Sequence, residues 1–188
     1  MKASRVFFTG GLILKGNYKM IPVISFVGKS NVGKTTLIEK LIPIFSMRGI
    51  RVGTIKHHMH DFNMDVPGKD SFRHQKAGAV QTVISSPEKI AFVGHSRHDH
   101  KIDELLKFFD AADIIITDGY KGEDKPKIEV FRPSHYDTPV TPEGSGLIAY
   151  ATDRADFPFP VKITVLDLNK PQAIADFIIE YFNIFPKN

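Results

Sequence analysis

Hydrophobic positions along the chain fall into two patterns that alternate with one another. Short apolar runs, some broken by single polar residues, predict strands at residues 21–27, 51–56, 80–85, 90–93, 114–117, 127–131, 147–151 and 162–166. Apolar residues spaced three and four apart predict helices over residues 35–47, 70–77, 103–109 and 172–182. Strands that alternate with helices are typical of a parallel sheet covered by helices. We therefore expect an α/β fold, a three-layer sandwich with a mostly parallel central sheet.

The first 19 residues depart from this pattern. Two apolar triplets, residues 6–8 and 12–14, are separated by a Thr-Gly-Gly sequence, and no small-residue cleavage site follows them. We expect residues 1–19 to be an extension outside the fold and residues 20–188 to form a single domain. A secretory signal is the alternative interpretation of this stretch.

A glycine-rich loop follows the first predicted strand and precedes the first predicted helix. It matches the pattern G-x-x-x-x-G-K-[ST], with Gly28 and Gly33 at the glycine positions. Glycine lets the backbone turn tightly and point N–H groups inward, and the helix start adds partial positive charge. We predict a P-loop NTPase-like domain in which Lys34 contacts the β- and γ-phosphates and the Thr35 hydroxyl binds Mg²⁺. The predicted nucleotide-binding residues of the loop are Gly28, Lys29, Ser30, Asn31, Val32, Gly33, Lys34, Thr35 and Thr36.

A carboxylate follows a short, almost wholly apolar predicted strand. Asp118 comes directly after residues 114–117. A carboxylate at the carboxyl end of a strand beside the first one can hold Mg²⁺, directly or through water. We therefore predict Thr35 and Asp118 as metal ligands, and Lys34 and Asp118 as catalytic residues. The alternative is that Asp118 only forms a turn with Gly119.

Composition narrows the cellular setting. The 188-residue chain is 42% hydrophobic and contains no cysteine, so disulfides and thiolate metal sites are excluded. The absence of cysteine fits a reducing compartment, and we expect a cytoplasmic protein. No apolar stretch approaches the ~20 residues that cross a bilayer, so we expect no membrane association.

The formal net charge of +4 comes from the N-terminal extension. Four of the 25 basic residues and none of the 21 acidic residues lie within residues 1–19, which leaves 21 residues of each sign in the predicted domain. A nucleic-acid-binding domain is expected to have a clustered basic face, and the domain shows none in its sequence. We therefore expect no nucleic-acid partner.

Four blocks of sequence carry a resemblance to a known family. They are Thr-Ile-Lys-His-His at 54–58, Pro-Gly-Lys-Asp-Ser-Phe-Arg-His at 67–74, Ala-Gly-Ala at 77–79, and Thr-Asp-Gly-Tyr-Lys at 117–121 with Pro-Lys-Ile-Glu-Val-Phe-Arg at 126–132. In order and spacing, residues 21–132 resemble the MobB-type molybdopterin-guanine dinucleotide biosynthesis proteins. That family commonly has glutamate in place of Asp118, and the shorter side chain favours contact with Mg²⁺ through water. Lys29 is similar to an extra lysine of related dimeric ATPases that acts across the dimer interface.

The resemblance implies a GTP-binding accessory protein of molybdenum cofactor biosynthesis that assists attachment of GMP to molybdopterin. It implies GTP and Mg²⁺ as cofactors, and molybdopterin or its guanine dinucleotide as a second ligand. It also implies the molybdenum cofactor nucleotidyltransferase as a partner, and a homodimer. Because neither a catalytic base nor an arginine finger in the same chain is evident, we expect slow GTP hydrolysis and a role mainly as an adaptor.

Basic residues near the predicted carboxyl ends of the strands suit an anionic second ligand. Molybdopterin carries a phosphate and is such a ligand. The predicted second-ligand residues are Lys56, Lys69, Arg73 and Lys121, with solvated surface cations as the alternative. Asp65 and Asp70 are weaker catalytic candidates that could order Mg²⁺ or a water, although Asp70 could instead cap a helix. Asp153 could accept hydrogen bonds from guanine, or it could cap a turn.

Two groups of histidines leave other functions open. The first group is His57, His58 and His60, and the second is His95, His98 and His100. Imidazoles that lie close together can bind a transition metal, which would favour a GTPase that delivers a metal ion. The other alternative is a P-loop small-molecule kinase, which would need a lid with several arginines to exclude water.

Overall fold

The computed structural model describes residues 5–8, 11–14, 21–58, 60, 62, 64–160 and 162–185. In chain order its strands are β1 Arg5–Phe8, β2 Gly11–Leu14, β3 Val23–Val27, β4 Val52–Lys56, β5 Gln81–Ser85, β6 Ile90–Gly94, β7 Ile114–Asp118, β8 Lys127–Phe131, β9 Leu147–Thr152 and β10 Thr164–Asp167. Its helices are α1 Lys34–Met47, α2 Asp70–Lys76, α3 Ile102–Leu105, which continues as a 3₁₀ turn over Leu106–Phe108, and α4 Pro171–Phe182.

A six-stranded parallel sheet organises the described part of the chain, with its strands in the order β10-β9-β8-β3-β7-β4. Strands β3 and β7 are buried along their whole length, as expected where a parallel sheet is covered on both faces. They are direct neighbours, and Phe26 lies opposite Asp118 in their register. The loops that follow these two strands therefore meet at one edge of the sheet.

Apolar side chains cover both faces of this sheet. On one face, Phe26 belongs to a buried cluster with Leu41 of α1 and Ile174 of α4. On the other face, Ile115 belongs to a second cluster with Ile102 at the start of α3. Because successive side chains of a strand point to opposite faces, β3 and β7 each contribute to both clusters. The predicted α/β sandwich with a mostly parallel central sheet is confirmed.

Apart from the helix at 103–109, the predicted strands and helices begin and end within two residues of the observed ones, whereas β1 and β2 were not predicted. One helix changes type, because the predicted helix at 103–109 is α-helical only over Ile102–Leu105 and then tightens to a 3₁₀ turn. Gly49, at φ 71°, ends α1, and the Ile50 N–H donates to the Phe45 carbonyl, as in a glycine C-cap. Among the described residues, no helix has the length and apolar character needed to cross a bilayer.

Two hairpins lie apart from the central sheet. Strands β5 and β6 pair antiparallel, and Val83, Ile90 and Phe92 on one face of this hairpin are 58%, 77% and 50% exposed. Strands β1 and β2 also pair antiparallel, and within the described residues they pair with no other strand. Residues 1–4, 9–10 and 15–19 lie outside the described residues, so the expectation that 1–19 is an extension outside the fold stays a prediction.

Candidate nucleotide-binding site

The loop between β3 and α1 depends on glycine for its shape. Gly28 has φ 131° and Gly33 has φ 98°, both in the region that side chains disfavour, and Asn31 has φ 61°. A Cβ at Gly28 would collide with the carbonyl oxygen of Val130 on neighbouring β8, so no larger residue fits there. The tight turn of this loop therefore requires glycine at position 28 and favours it at position 33.

The N-terminus of α1 faces the loop without a side-chain cap. The structure shows no side-chain hydrogen bond at the N-cap residue, Gly33, and no acidic residue in the first turn of this described helix. The first N–H groups of a helix have no partner inside the helix and carry partial positive charge. With the turn of the loop, they form an arrangement that suits an anion.

Lys34 lies across the mouth of the loop. Its ammonium donates hydrogen bonds to the carbonyl oxygens of Gly28 at 3.1 Å and Lys29 at 2.6 Å. Burial lowers the pKa of Lys34, the Asp118 carboxylate acts to raise it, and the Lys56 ammonium acts to lower it. Burial disfavours the charged form of Lys34 in the free protein, and a phosphate beside it would favour that form. The site therefore suits a bound anion.

Thr35 and Asp118, the two predicted metal ligands, lie in contact. The Thr35 hydroxyl donates to Asp118 Oδ2 at 2.8 Å, and the Lys56 ammonium forms an ion pair with the same oxygen at 2.5 Å. The other oxygen, Oδ1, is buried and has no hydrogen-bond partner within the described part of the chain. A buried carboxylate oxygen without a partner, next to a hydroxyl, fits the oxygen ligands that Mg²⁺ requires.

A cavity of about 840 Å³ opens beside these residues. Two of the four predicted second-ligand residues, Lys56 and Lys121, line it together with Gly28, Lys34 and Asp118. It is also lined by residues that the sequence did not assign to it, namely His57, Asp99, His100, Tyr120, Glu123 and Tyr136. A signal for two of them existed, because His57 lies within the family-like block at 54–58 and Tyr120 lies within the block that contains Asp118 and Lys121.

The other predicted residues around α2 do not line this cavity. Lys69 is the N-cap residue of α2, and Arg73 forms an exposed ion pair with Asp70 at 3.4 Å. Asp65 accepts hydrogen bonds from the Val66 N–H and from the side chains of Ser71 and Gln75, so it holds the start of α2. The suggestion that Asp70 caps α2 is wrong in position, because Asp70 is the first helical residue, where its charge complements the helix dipole.

Asp153 is connected to the loop through Arg132, a residue that sequence reasoning did not assign to the site. Arg132 forms an ion pair with Asp153, and its Nε donates to the Val32 carbonyl at 3.0 Å. Asp153 Oδ1 is buried without a hydrogen-bond partner in the described residues. The available signal for Arg132 was its place directly after β8, the neighbour of β3. A guanine contact by Asp153 stays a prediction.

Tyr136 supports the loop from outside. Its hydroxyl donates to the Ser30 carbonyl at 3.0 Å, and the Lys29 ammonium lies 4.5 Å from the centre of its ring. A cation over an aromatic ring is an attractive arrangement. Lys29 is thus positioned by a side chain of its own chain, and its action across a dimer interface stays a prediction.

Two charged residues of the block at 126–132 are buried for structural reasons. The Lys127 ammonium donates to the carbonyl oxygens of Glu123 and Ser145, both at 2.5 Å, and burial lowers its pKa. The Glu129 carboxylate accepts from the N–H groups of Val140 and Thr141 at 2.8 and 2.9 Å. These side chains satisfy backbone groups of neighbouring loops.

The parallel sheet, the glycine loop after its β3 strand and the hydroxyl–carboxylate pair together define a P-loop NTPase-like α/β protein. A family model described as MobB, molybdopterin guanine dinucleotide synthesis protein B, matches residues 23–153. The chain belongs to the MobB family, and the resemblance found in its sequence blocks is confirmed.

Individual relatives agree with this assignment. A protein of Escherichia coli (strain K12) named molybdopterin-guanine dinucleotide biosynthesis adapter protein is 38% identical over 167 residues, which cover 86% of this chain and 94% of the relative. A protein of the same name from Haemophilus influenzae is 36% identical over 167 residues, covering 88% and 92%.

Solved structures agree in fold. A crystal structure of molybdopterin-guanine biosynthesis protein B is 27% identical with a TM-score of 0.63, covering 86% of this chain and 99% of the other. The crystal structure of Bacillus subtilis MobB is 24% identical with a TM-score of 0.69, covering 85% and 97%, and it supports the fold alone.

Proposed function

We propose that the protein is a GTP-binding adapter of molybdopterin-guanine dinucleotide biosynthesis that assists attachment of GMP to molybdopterin. The observation that carries the nucleotide part is the contact of Thr35 with Asp118 beside the glycine loop, at 2.8 Å. The pathway part rests on membership of the MobB family and on relatives named as adapter proteins of this pathway.

Each part of the loop has a distinct role in this proposal. The N–H groups of residues 28–36 and the N-terminus of α1 bind the phosphates, and Lys34 leaves its carbonyl partners to contact them. Thr35 and Asp118 hold Mg²⁺, which neutralises phosphate charge when bound. Asp153 reads the guanine edge through its unpaired carboxylate oxygen.

Slow hydrolysis fits the state of the nearby arginines. Arg132 is held by Asp153 and by the Val32 carbonyl, and Arg154 pairs with Asp156 at 2.9 Å. An arginine that stabilises charge in phosphoryl transfer needs to be free to approach the phosphates. We therefore assign the protein a weak GTPase activity and a main role as a nucleotide-dependent adapter. The same pairing disfavours the kinase alternative, which needs arginines in a lid.

Lys56 and Lys121 supply the second-ligand contacts in this proposal. Both line the cavity that also contains Lys34, so an anion bound there would lie next to the nucleotide. The phosphate of molybdopterin or of its guanine dinucleotide has the charge that these ammonium groups attract. Lys69 and Arg73 lie outside this cavity and are not part of the proposed contact.

A homodimer and a nucleotidyltransferase complete the proposal. Val83, Ile90 and Phe92 expose an apolar face on the β5–β6 hairpin, and a two-stranded hairpin outside a larger sheet gains stability when such a face is covered. We assign this face to contact with a second copy of the chain. The dimer then works with the molybdenum cofactor nucleotidyltransferase, in the reducing cytoplasm that a chain without cysteine suits.

The decisive experiment measures nucleotide affinity by titration calorimetry with Mg²⁺ present. We expect GTP to bind more tightly than ATP. We expect Lys34→Ala to weaken GTP binding by about 100-fold, or about 2.7 kcal/mol, because charge-assisted hydrogen bonds to phosphate are lost. Lys40→Ala, an exposed lysine of the same helix, serves as the matched control and keeps the parent affinity.

Three results would contradict the proposal. They are tighter binding of ATP, parent affinity in Lys34→Ala, or phosphate transfer from the nucleotide to a small acceptor, which would support the kinase. The adapter role is measured separately, by the rate of GMP attachment to molybdopterin by the nucleotidyltransferase with and without the protein. An unchanged rate would contradict the adapter role and leave the proposed nucleotide binding unaffected.

A further inference from the structure

The loop between β6 and α3 brings two histidines to one glutamate. His98 Nε2 lies 2.9 Å from Glu104 Oε2, and His100 Nδ1 lies 2.8 Å from the same oxygen. The three donor atoms are all within 4.8 Å of one another. His95, the remaining histidine of this predicted group, is not part of the cluster, and His57, His58 and His60 form no comparable cluster within the described residues.

Contacts outside the cluster position this loop. Ile102, between the histidines and the glutamate, is completely buried and anchors the start of α3. The Tyr120 hydroxyl donates to the His100 carbonyl at 3.0 Å. The side chain of Asp99 pairs with His57 at 3.0 Å. The backbone that carries the three donors is thus held by one apolar and two polar contacts that do not involve the donors.

The donor set has the chemistry of a transition-metal site. Two imidazole nitrogens and one carboxylate oxygen suit Zn²⁺ and similar divalent ions, whereas Mg²⁺ prefers oxygen ligands. Ligands about 2.1 Å from a tetrahedral ion lie about 3.4 Å apart, so the two contacts to Glu104 need to lengthen by only about half an ångström each. A neutral imidazole has one unprotonated nitrogen, and its tautomer decides which one faces the ion.

The exposure of the cluster leaves room for further ligands. The side chains of His98, His100 and Glu104 are 59%, 37% and 45% exposed. Three protein ligands with one side open to solvent allow water to complete the coordination of Zn²⁺. His100 also lines the nucleotide cavity, so an ion at this cluster would lie beside the cavity wall.

We propose that His98, His100 and Glu104 form a second metal site, specific for a divalent transition-metal ion such as Zn²⁺ and separate from the Thr35–Asp118 pair. The site does not require a bound nucleotide. It therefore stands or falls independently of the proposed GTP binding.

The test uses the full chain after treatment with a chelator, without nucleotide and with excess Mg²⁺. Titration calorimetry with Zn²⁺, checked by metal analysis, is expected to show one equivalent bound. Glu104→Gln and His98→Ala are each expected to weaken binding by about 100-fold or more, because loss of even a group that supports a ligand costs 10- to 100-fold. X-ray absorption of the bound zinc is expected to show imidazole ligands.

His58→Ala is the matched control, since His58 is a loop histidine outside the cluster. It is expected to bind Zn²⁺ like the parent protein. Circular dichroism checks that all variants are folded, which their exposed positions favour. Absence of Zn²⁺ binding by the parent protein, equal binding by Glu104→Gln, or loss of binding in His58→Ala would each overturn the proposal.

Discussion

Two regions of the molecule differ in how their side chains are buried. The first, called the sheet edge here, consists of residues 28–36, Lys56 and Asp118, and its carboxylate is buried with two partners. The second, called the hairpin arm, consists of residues 64–94, and none of its side chains is buried. Chemistry needs groups held in place by a rigid scaffold, whereas recognition of a partner needs exposed surface. The chain therefore separates its proposed nucleotide site from its proposed contact surface.

Glycines offer the strongest way to break this comparison, because each region contains glycines at positive φ. Gly28 at the sheet edge has φ 131°, and an added Cβ would collide with Val130, whereas Gly68 in the arm has φ 88° and open space around it. We expect Gly28→Ala to lower the free energy of unfolding by about 3 kcal/mol, from backbone strain and overpacking together. Gly68→Ala carries the strain alone and is expected to cost about 1 kcal/mol. Urea denaturation measures both, and equal losses would contradict the distinction.

The exposed face of the arm can be tested by a charge. Ile90 is 77% exposed, so Ile90→Asp leaves the protomer folded but places a carboxylate in the proposed dimer contact. Burial of an unpaired charge is unfavourable, and we expect the dimer dissociation constant to rise by about 100-fold, or about 2.7 kcal/mol.

Sedimentation equilibrium measures this change, and GTP affinity is expected to stay at the parent value. Met47→Asp is the control, because Met47 is 80% exposed at the end of α1 and is not part of the hairpin. A parent protein that sediments as a monomer, or an Ile90→Asp variant that stays a dimer, would remove the hairpin from the proposal.

The metal-ligand role of Asp118 predicts a smaller effect. Asp118→Asn keeps the shape of the side chain but removes the charge that faces Thr35 and Lys56. We expect GTP binding in Mg²⁺ to weaken by about tenfold, or about 1.4 kcal/mol, and to become insensitive to Mg²⁺. Asp124→Asn, an exposed carboxylate nearby in sequence, is the control. Persistence of the Mg²⁺ effect in Asp118→Asn would show that the ion is held elsewhere.

Local pattern was sufficient to predict the loop and most helices and strands. Apolar runs and glycine caps are read from neighbouring residues, and the loop at residues 28–36 follows one strand and opens one helix. Pro43 is an exception to local helix preferences. It lies inside α1 although proline lacks the N–H that a helix interior uses. Burial of Leu41, Ile44 and Phe45 on the core face favours the continuous helix.

Contacts between distant residues needed the folded chain. Arg132 reaches Val32 across 100 positions, and its pairing with Asp153 could not be inferred from either segment alone. Nothing in the sequence was a reason to prefer any of the four predicted second-ligand cations. In the structure, Lys56 and Lys121 line the cavity, whereas Lys69 and Arg73 lie at α2. Which cations converge depends on loop paths that hydrophobic periodicity does not describe.

The sequence by itself determined the phosphate-type loop, the order of most strands and helices and the family, because each is encoded in residues close together along the chain. Only the tertiary structure decided that Thr35 and Lys56 both contact one carboxylate oxygen of Asp118, and that His98 and His100 both contact Glu104. The physical reason is the neighbouring position of β3, β7 and β4, and the anchoring of α3 by buried Ile102. Burial in the common core brings these side chains within hydrogen-bond distance.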